Sequence, residues 1–188
     1  MELLDPSPSG LRQALDSFAV LGDVDLHSLG IVPRLLLISD GTLTDIIEAS
    51  FLEPIELVKL SVDSYLATVP VEALEIKTGD PVMRRKILLR GGISGTNYVY
   101  AQTLIALNSL PDKVREELVS SDSPIGRLWV KHKLETRKEM ISIWREAAGP
   151  LAEYFDISAD RELLARTYRV FSGGAPSMLI SEYFPADL

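Results

Sequence analysis

The chain has 188 residues, of which 46% are hydrophobic and 24% charged, a composition typical of a globular protein with one buried core. We therefore predict a single domain over residues 1–188. The net charge of −8 repels nucleic-acid phosphates and anionic lipid, which argues against both as partners. A chain without cysteine can form neither disulfides nor thiolate metal sites.

The remaining composition argues against a metal centre and a membrane span. His27 and His132 are the two histidines of the chain, and they are far apart in sequence, so we expect no histidine metal site. No segment is long and apolar enough to span a bilayer, and residues 1–13 lack the pattern of a signal peptide. We predict no membrane insertion and a cytoplasmic location, or a stromal one if the gene is plastid-encoded.

The first part of the chain is predicted to be helical. A second helical pair is expected after Pro33, with a break at Asp40 and Gly41. Thr42 is placed to cap a helix over residues 43–50. The first predicted helix follows a Pro- and Ser-rich loop, and its apolar row at helical spacing consists of Leu11, Leu15 and Phe18.

Three strands are predicted next, near residues 55–62, 82–90 and 98–107, and we expect them to form an antiparallel meander. Glycine and serine residues at positions 91–95 make the turn after the second strand. The first strand alternates apolar and polar residues, and its predicted half-buried face consists of Val58, Leu60 and Val62.

The second half of the chain continues this pattern. A short helix is predicted after Pro111, with Val114 and Leu118 on its buried face. A turn at residues 122–127 precedes a long strand near residues 137–145, on which Ile141 and Ile143 face one side. Met140 and Trp144 are predicted to face the other side of that strand.

Two final strands, near residues 164–171 and 176–184, flank Ser172-Gly173-Gly174-Ala175, which is a hairpin signal. Together these elements predict an α+β fold: a single domain with an antiparallel sheet of about six strands covered by helices.

Two charged residues fall on apolar faces of predicted strands. Arg85 shares one face of the second strand with Met83, Ile87 and Leu89, whereas the opposite face is mostly cationic and is expected to be solvated. Glu182 shares one face of the last strand with the apolar residues Met178, Ile180 and Phe184. A buried unpaired charge costs several kcal/mol, so each of these two residues needs a partner.

Three interpretations of this pattern stay open. Arg85 and Glu182 could pair with each other or with backbone groups, or either strand could lie at a sheet edge where its charge reaches water. Because structural ion pairs are common, periodicity alone favours these two interpretations. In the third, both residues project into one cavity and bind opposite ends of a ligand that has an anionic group, an apolar body and a hydroxyl.

Several segments resemble the chorismate lyase family, in the family's order, over residues 35–185. They are similar to its leucine run and flap, its carboxylate-binding strand, its Pro-Leu-Gly-Arg turn, the Thr-Arg that opens its next strand, and its terminal strand. The resemblance is nearest to the branch found in archaea, cyanobacteria and some plastids. The matching segments are residues 35–44, Arg85-Lys86-Ile87-Leu88-Leu89, Pro124-Ile125-Gly126-Arg127, Thr136-Arg137 and residues 175–185.

The resemblance implies an internal ligand cavity and a carbon–oxygen lyase that converts chorismate to 4-hydroxybenzoate and pyruvate without a cofactor. This reaction is the first step toward a plastoquinone or ubiquinone head group. By the same resemblance Arg85 holds the ring carboxylate and Glu182 contacts the 4-hydroxyl, both as catalytic residues. Ile125 contributes a backbone contact to the ligand, and Leu43 lies in a flap over the ring.

One position departs from the family pattern. The proteobacterial enzyme carries an arginine in its third strand where this chain has Gln102, which leaves the second carboxylate of chorismate without an assigned partner. Arg127 and Arg137 are candidates, although both are expected at the surface.

The alternative function is a non-catalytic domain that senses a small aromatic ligand, because the effector domains of some transcription regulators share this fold. A third alternative, a structural protein, predicts a salt bridge between Arg85 and Glu182 and no cavity.

Overall fold

Six antiparallel strands form one sheet in the computed structural model, which describes residues 24–120 and 125–188. The predicted helix near residues 11–18 and residues 122–124 of the predicted turn lie outside these ranges. The order across the sheet is β1-β2-β3-β6-β5-β4, so β1 and β4 are its edges. The strands are β1 (Ile55–Leu66), β2 (Pro81–Gly91), β3 (Asn97–Ala106), β4 (Thr136–Ala147), β5 (Glu162–Ser172) and β6 (Ala175–Pro185).

The predicted α+β class, the meander of β1 to β3 and the hairpin of β5 and β6 are confirmed. Gly173 and Gly174 at the hairpin turn have φ of 59° and 83°. Two consecutive left-handed residues match the right-handed twist of a tight hairpin, and glycine adopts that conformation without steric cost.

Five helices are present in the described ranges, and two differ from their predictions. The helix that was expected to follow Pro33 instead begins at Ile31, two residues before this proline, because proline is tolerated within the first turn of a helix. Residues 125–127, predicted as part of a turn, are helical. The helices are α1 (Ile31–Ile38), α2 (Leu43–Phe51), α3 (Asp112–Ser120), α4 (Ile125–Lys131) and α5 (Ala152–Phe155). None of them is long and apolar enough to cross a membrane.

Bulges change the inward faces of both edge strands. The register of β1 shifts between Lys59 and Ser61, and Leu57 packs against the core. The predicted half-buried face of Val58, Leu60 and Val62 is confirmed only in part, because Val58 and Leu60 are half-buried whereas Val62, which follows the bulge, is exposed.

The register of β4 shifts between Met140 and Ser142. Met140 and Ile143, which were predicted on opposite faces, consequently both pack against the core. The back of the sheet is also partly covered, so Val82 and Leu88 on the predicted solvated face of β2 are buried.

Two apolar clusters cover the same face of the sheet. The first cluster joins α1 and α2 to one end of the inner strands, with Leu37, Ile47 and Ile87 among its buried residues. The second joins α3 and α4 to the other end, and the predicted Leu118 contact belongs to it together with Met83. The two clusters meet along a line that crosses the strands near their middle.

A buried carboxylate ties α2 to the turn between β2 and β3. Glu53 accepts hydrogen bonds from the backbone N–H groups of Ile93 and Ser94 at 2.9 and 2.8 Å. It also accepts from the hydroxyls of Ser94 and Tyr98, at 2.7 and 2.6 Å. These donors, the Tyr98 hydroxyl first, lower the pKa of Glu53 to about 2. A side chain at Gly91 would collide with this carboxylate, because an added Cβ would lie 2.4 Å from its Oε1.

We predict that Glu53→Gln lowers the free energy of unfolding at neutral pH, with a melting temperature several degrees lower. A group with a depressed folded-state pKa stabilises above its unfolded value and loses that contribution as pH falls toward the folded value. The difference between wild type and Glu53→Gln should therefore shrink between pH 4.5 and about 2, as measured by urea unfolding. Glu56→Gln, at an exposed neighbouring carboxylate, should show no such dependence; equal pH profiles for both variants would contradict the prediction.

Candidate functional site

A cavity of about 310 Å³ lies where the two apolar clusters meet. Along β2, Met83 belongs to one cluster and Ile87 to the other, and Arg85 lies between them facing the cavity. Along β6, Ile180 and Phe184 belong to different clusters, and Glu182 lies between them. The two charged side chains therefore occupy the gap between the helical covers. The volume is within the range of about 300–1,000 Å³ that is typical of small-molecule sites.

The lining residues come from all six strands, from the N-terminal end of α2, from both ends of α4, and from the segments beside these helices. Strand residues are Leu57, Arg85, Ile87, Leu89, Ala101, Thr103, Thr136, Lys138, Tyr168, Ile180 and Glu182, and the remainder are Asp40, Gly41, Thr42, Leu43, Thr44, Ile125, Gly126, Trp129, Val130, Lys133 and Leu134.

Small side chains on the central strand leave room for a ligand. Thr103 is the cross-strand neighbour of Arg85, and Ala101 is the neighbour of Glu182. Since strands are about 4.8 Å apart, Arg85 and Glu182 are separated by roughly 10 Å across the sheet, with one short-chained strand between them. This arrangement places a cation and an anion at opposite sides of an open floor.

All four residues singled out from the sequence line this one cavity: Arg85, Glu182, Leu43 and Ile125. Arg85 is 1% exposed and Glu182 is 7% exposed. The sheet-edge interpretation is wrong, because β2 and β6 are both internal strands. The structural-protein alternative predicted no cavity, whereas a cavity lies beside both charges.

The partners of Glu182 are two β5 residues that the sequence analysis missed. Arg166 donates from Nε to Glu182 Oε2 at 2.7 Å, and the Tyr168 hydroxyl donates to Oε1 at 2.9 Å. Arg166 is 0% exposed, so this is a fully buried ion pair. A signal was available in the sequence, because Arg166 alternates with the apolar residues Leu164 and Tyr168 just as Arg85 alternates along β2.

Arg166 and Lys138 also hold the segment between α1 and α2, which we call the cap loop (residues 39–42). Arg166 Nη1 donates to the carbonyls of Leu37 and Ser39 at 3.1 and 2.9 Å. Lys138 Nζ donates to the carbonyls of Asp40 and Gly41 at 2.7 and 2.8 Å. Cations at the C-terminal end of α1 are stabilised by its unpaired carbonyls and its dipole. The cap loop is therefore fastened to β4 and β5 by charge-assisted hydrogen bonds.

Burial and the charges around Glu182 shift the pKa values of three side chains: Tyr168, Arg166 and Lys138. Burial, together with the nearby carboxylate of Glu182, raises the pKa of the Tyr168 hydroxyl well above its ordinary value. Burial opposes the charge of Arg166, but Glu182 outweighs it and the pKa of Arg166 is raised. The pKa of Lys138 is lowered by burial and by the charge of Arg166, against the opposing effects of Glu182 and Asp40.

The roof of the cavity depends on close packing between α4 and the cap loop. A Cβ added to Gly126 would lie 2.8 Å from Thr42 Cγ2, so glycine allows the two segments to approach. Thr42 occupies the predicted N-cap position of α2, but its side chain makes no capping hydrogen bond. Contact with Thr42 therefore explains why glycine occupies position 126 of the Pro-Ile-Gly-Arg segment.

Gln102 and the two arginines considered as partners of the second carboxylate lie outside the cavity lining. Gln102 is in register with Lys86 and Ser181, on the face of the sheet opposite to Ala101 and Thr103. Arg127 binds Glu48 at 2.6 Å, and the guanidinium of Arg137 lies 4.0 Å from the centre of the Phe171 ring. Both arginines are exposed, as predicted. Among the described residues, no cluster of three His, Asp or Glu side chains could hold a metal ion.

Comparisons with known proteins identify the family of the chain. A family model described as chorismate pyruvate-lyase Rv2949c-like matches residues 37–188. The chorismate pyruvate-lyase of Mycobacterium leprae is 30% identical over 154 residues, which cover 80% of this chain and 72% of that protein. The chorismate pyruvate-lyase of Mycobacterium tuberculosis is 30% identical over 168 residues, which cover 87% of this chain and 84% of the relative.

Solved structures with this fold include domains of transcription regulators. PhnF from Mycobacterium smegmatis superposes with a TM-score of 0.62 at 11% identity, over 80% of this chain and 67% of PhnF. The ligand-binding domain of a putative GntR-family regulator from Bordetella bronchiseptica superposes with a TM-score of 0.57 at 20% identity, over 71% of this chain and 86% of that domain. Identities this low show a shared fold, whereas the family match covers most of the sequence. The chain belongs to the Rv2949c-like chorismate pyruvate-lyase family.

Proposed function

We propose that this protein is a chorismate pyruvate-lyase that converts chorismate to 4-hydroxybenzoate and pyruvate. The observation that carries the proposal is the placement of buried Arg85 and Glu182 on one cavity of about 310 Å³. A guanidinium binds a carboxylate through two parallel hydrogen bonds. An apolar wall with a few convergent polar groups suits a ring that carries a carboxylate at one end and a hydroxyl at the other.

The reaction requires that the substrate be held in a reactive conformation more than it requires a strong acid or base. The ether bond between ring carbon 3 and the enolpyruvyl oxygen breaks, ring carbon 4 loses its hydrogen, and the ring becomes aromatic. The enolpyruvyl methylene gains a hydrogen and leaves as the methyl group of pyruvate. Because aromatisation drives the reaction, holding the side chain over the ring and supplying fixed charges accelerates it.

In this scheme Arg85 holds the ring carboxylate and Glu182 accepts a hydrogen bond from the 4-hydroxyl. A carboxylate has about four acceptor sites, and Arg166 and Tyr168 use one on each oxygen of Glu182. Acceptor capacity therefore remains for the ligand. Leu43 and Ile125 lie on the helical side of the cavity, where they would cover the ring and exclude water.

The second candidate is a non-catalytic domain that binds a small aromatic ligand. The observation that favours it is the shared fold with effector domains of transcription regulators. The two candidates use the same cavity, and turnover of chorismate separates them.

Several finer expectations stay predictions. They are the branch of archaea, cyanobacteria and plastids, the supply of a plastoquinone or ubiquinone head group, and a cytoplasmic or stromal location. The relatives reported above are mycobacterial.

We predict that the purified protein converts chorismate to equal amounts of 4-hydroxybenzoate and pyruvate, as measured by chromatography. Arg85→Met should lower kcat/KM by at least about 100-fold, because a charged hydrogen-bonded contact to the substrate is lost. The matched control is Arg84→Met, at the exposed neighbour of Arg85 on the same strand, which should keep near wild-type activity. Folded protein that forms no product above the spontaneous rate would reject the lyase and leave the binding domain.

Glu182 requires a milder variant as well as Glu182→Gln. The glutamine variant leaves Arg166 buried beside a neutral group, and breaking a buried ion pair costs about 3–5 kcal/mol. Tyr168→Phe removes one hydrogen bond to the same carboxylate and leaves the ion pair in place. We expect both variants to lower kcat/KM, Glu182→Gln by at least about 100-fold and Tyr168→Phe by about tenfold. Wild-type kinetics in a folded Glu182→Gln protein would remove this residue from the proposed site.

A substitution that fills the cavity tests the site without touching a charge. Ala101→Leu adds three carbons to the cavity floor, so we expect the loss of 4-hydroxybenzoate binding with an unchanged or higher melting temperature. Calorimetric titration and thermal unfolding measure the two effects. Gln102→Leu adds apolar volume at the next residue on the opposite face and should leave binding intact. Unchanged affinity in Ala101→Leu would show that the ligand binds elsewhere.

A further inference from the structure

Chorismate carries two carboxylates, and the proposed scheme gives a partner to one of them. Among the described residues that line the cavity, the cationic side chains are Arg85, Lys133 and Lys138. Arg166 lies behind the lining, and its charge is matched by Glu182. Arg85 is assigned to the ring carboxylate, so the second carboxylate has two cationic candidates in the lining.

Lys138 is better placed than Lys133. Lys133 is exposed, whereas Lys138 is half-buried on β4. The Lys138 ammonium lies 5.3 Å from the centre of the Tyr168 ring, and Tyr168 donates to Glu182. Lys138 is therefore next to the group that would bind the 4-hydroxyl. In chorismate the enolpyruvyl ether is on the ring carbon adjacent to the hydroxyl-bearing carbon, so the side chain leaves the ring close to Glu182.

The hydrogen-bond acceptors of Lys138 are neutral, although the carboxylates of Glu182 and Asp40 are near enough to act on its charge. Its Nζ donates to the backbone carbonyls of Asp40 and Gly41, and an ammonium has three donors. Burial and the charge of Arg166 lower the pKa of Lys138, and an incoming anion would offset both effects. A carboxylate beside this ammonium would thus gain a charge-assisted hydrogen bond in a partly desolvated place.

We infer that Lys138 binds the carboxylate of the enolpyruvyl side chain and so distinguishes the dianionic substrate from the monoanionic product. This inference rests on the proposed function. The ammonium that holds the cap loop then also contacts the substrate. When pyruvate has left, 4-hydroxybenzoate makes no contact with Lys138.

The test measures binding of two stable ligands that differ in the second carboxylate: 3-(carboxymethoxy)benzoate and 3-methoxybenzoate. Calorimetric titration gives the ratio of their affinities for wild type, Lys138→Gln, Lys138→Arg and the control Lys133→Gln. Glutamine is neutral but can still donate to the cap loop, and arginine keeps the charge. We expect Lys138→Gln to lower the affinity for the dianion 3-(carboxymethoxy)benzoate by about 10- to 100-fold and the affinity for 3-methoxybenzoate by less than about threefold. Lys138→Arg should preserve most of the preference, and Lys133→Gln nearly all of it.

Equal weakening of both ligands in Lys138→Gln would overturn the inference, since it would show that Lys138 acts only by holding the cap loop. An unchanged preference would overturn it as well. Kinetics separate this result from the fate of the proposed function. If wild type converts chorismate and Lys138→Gln keeps the wild-type kcat/KM, Lys138 is rejected and the lyase stands. If wild type prefers the dianion through Lys138 but converts no chorismate, the lyase is rejected and the dianion site stands.

Discussion

The buried ion pair between Arg166 and Glu182 is the interaction on which the site depends. Removing two charges from water is costly, and such a pair is seldom more stable than an apolar replacement. Its retention in the middle of an apolar sheet face therefore calls for another reason. Arg166 supplies one: besides Glu182 it binds the carbonyls of Leu37 and Ser39. One side chain thus sets the position of the acceptor on β6 and the position of the segment that covers the cavity.

The cavity follows from the way in which the sheet is covered. The α1–α2 pair and the α3–α4 pair each form an apolar cluster with opposite ends of the inner strands. Charged or small side chains at the junction cannot fill the gap as leucine or phenylalanine would. Ala101 and Thr103 leave the space, and Arg85 and Glu182 border it. The polar site and the empty volume thus arise from the same choice of residues at the middle of β2, β3 and β6.

Alternation along the strands predicted the most informative part of this arrangement. A strand places every second residue on one face, so Arg85 and Glu182 stood out against apolar neighbours, and both lie on internal strands facing one cavity. The same test applied to β5 would have found Arg166. Lys138 was harder to predict. A bulge after Met140 puts Lys138 on the same face of β4 as Ile143, and no residue pattern in the sequence marks this bulge. The volume of the cavity was not predictable at all, since it depends on long-range packing between helices and sheet.

The proposed reaction needs a ligand cavity, and this explains why a lyase could share its fold with effector domains of transcription regulators. Chorismate contains the driving force for its own aromatisation, so a lyase of this kind needs little beyond a closed cavity that holds the reactive conformer. A binding domain already provides the cavity, and the additional requirement is a set of fixed charges matched to the substrate. In this chain Arg85, Glu182 and Lys138 lie on three different strands around one floor. On the proposed reaction, catalysis would then depend less on any single group than on the rigidity of the sheet that holds all three, because charges fixed in advance need no reorganisation when the ether bond breaks.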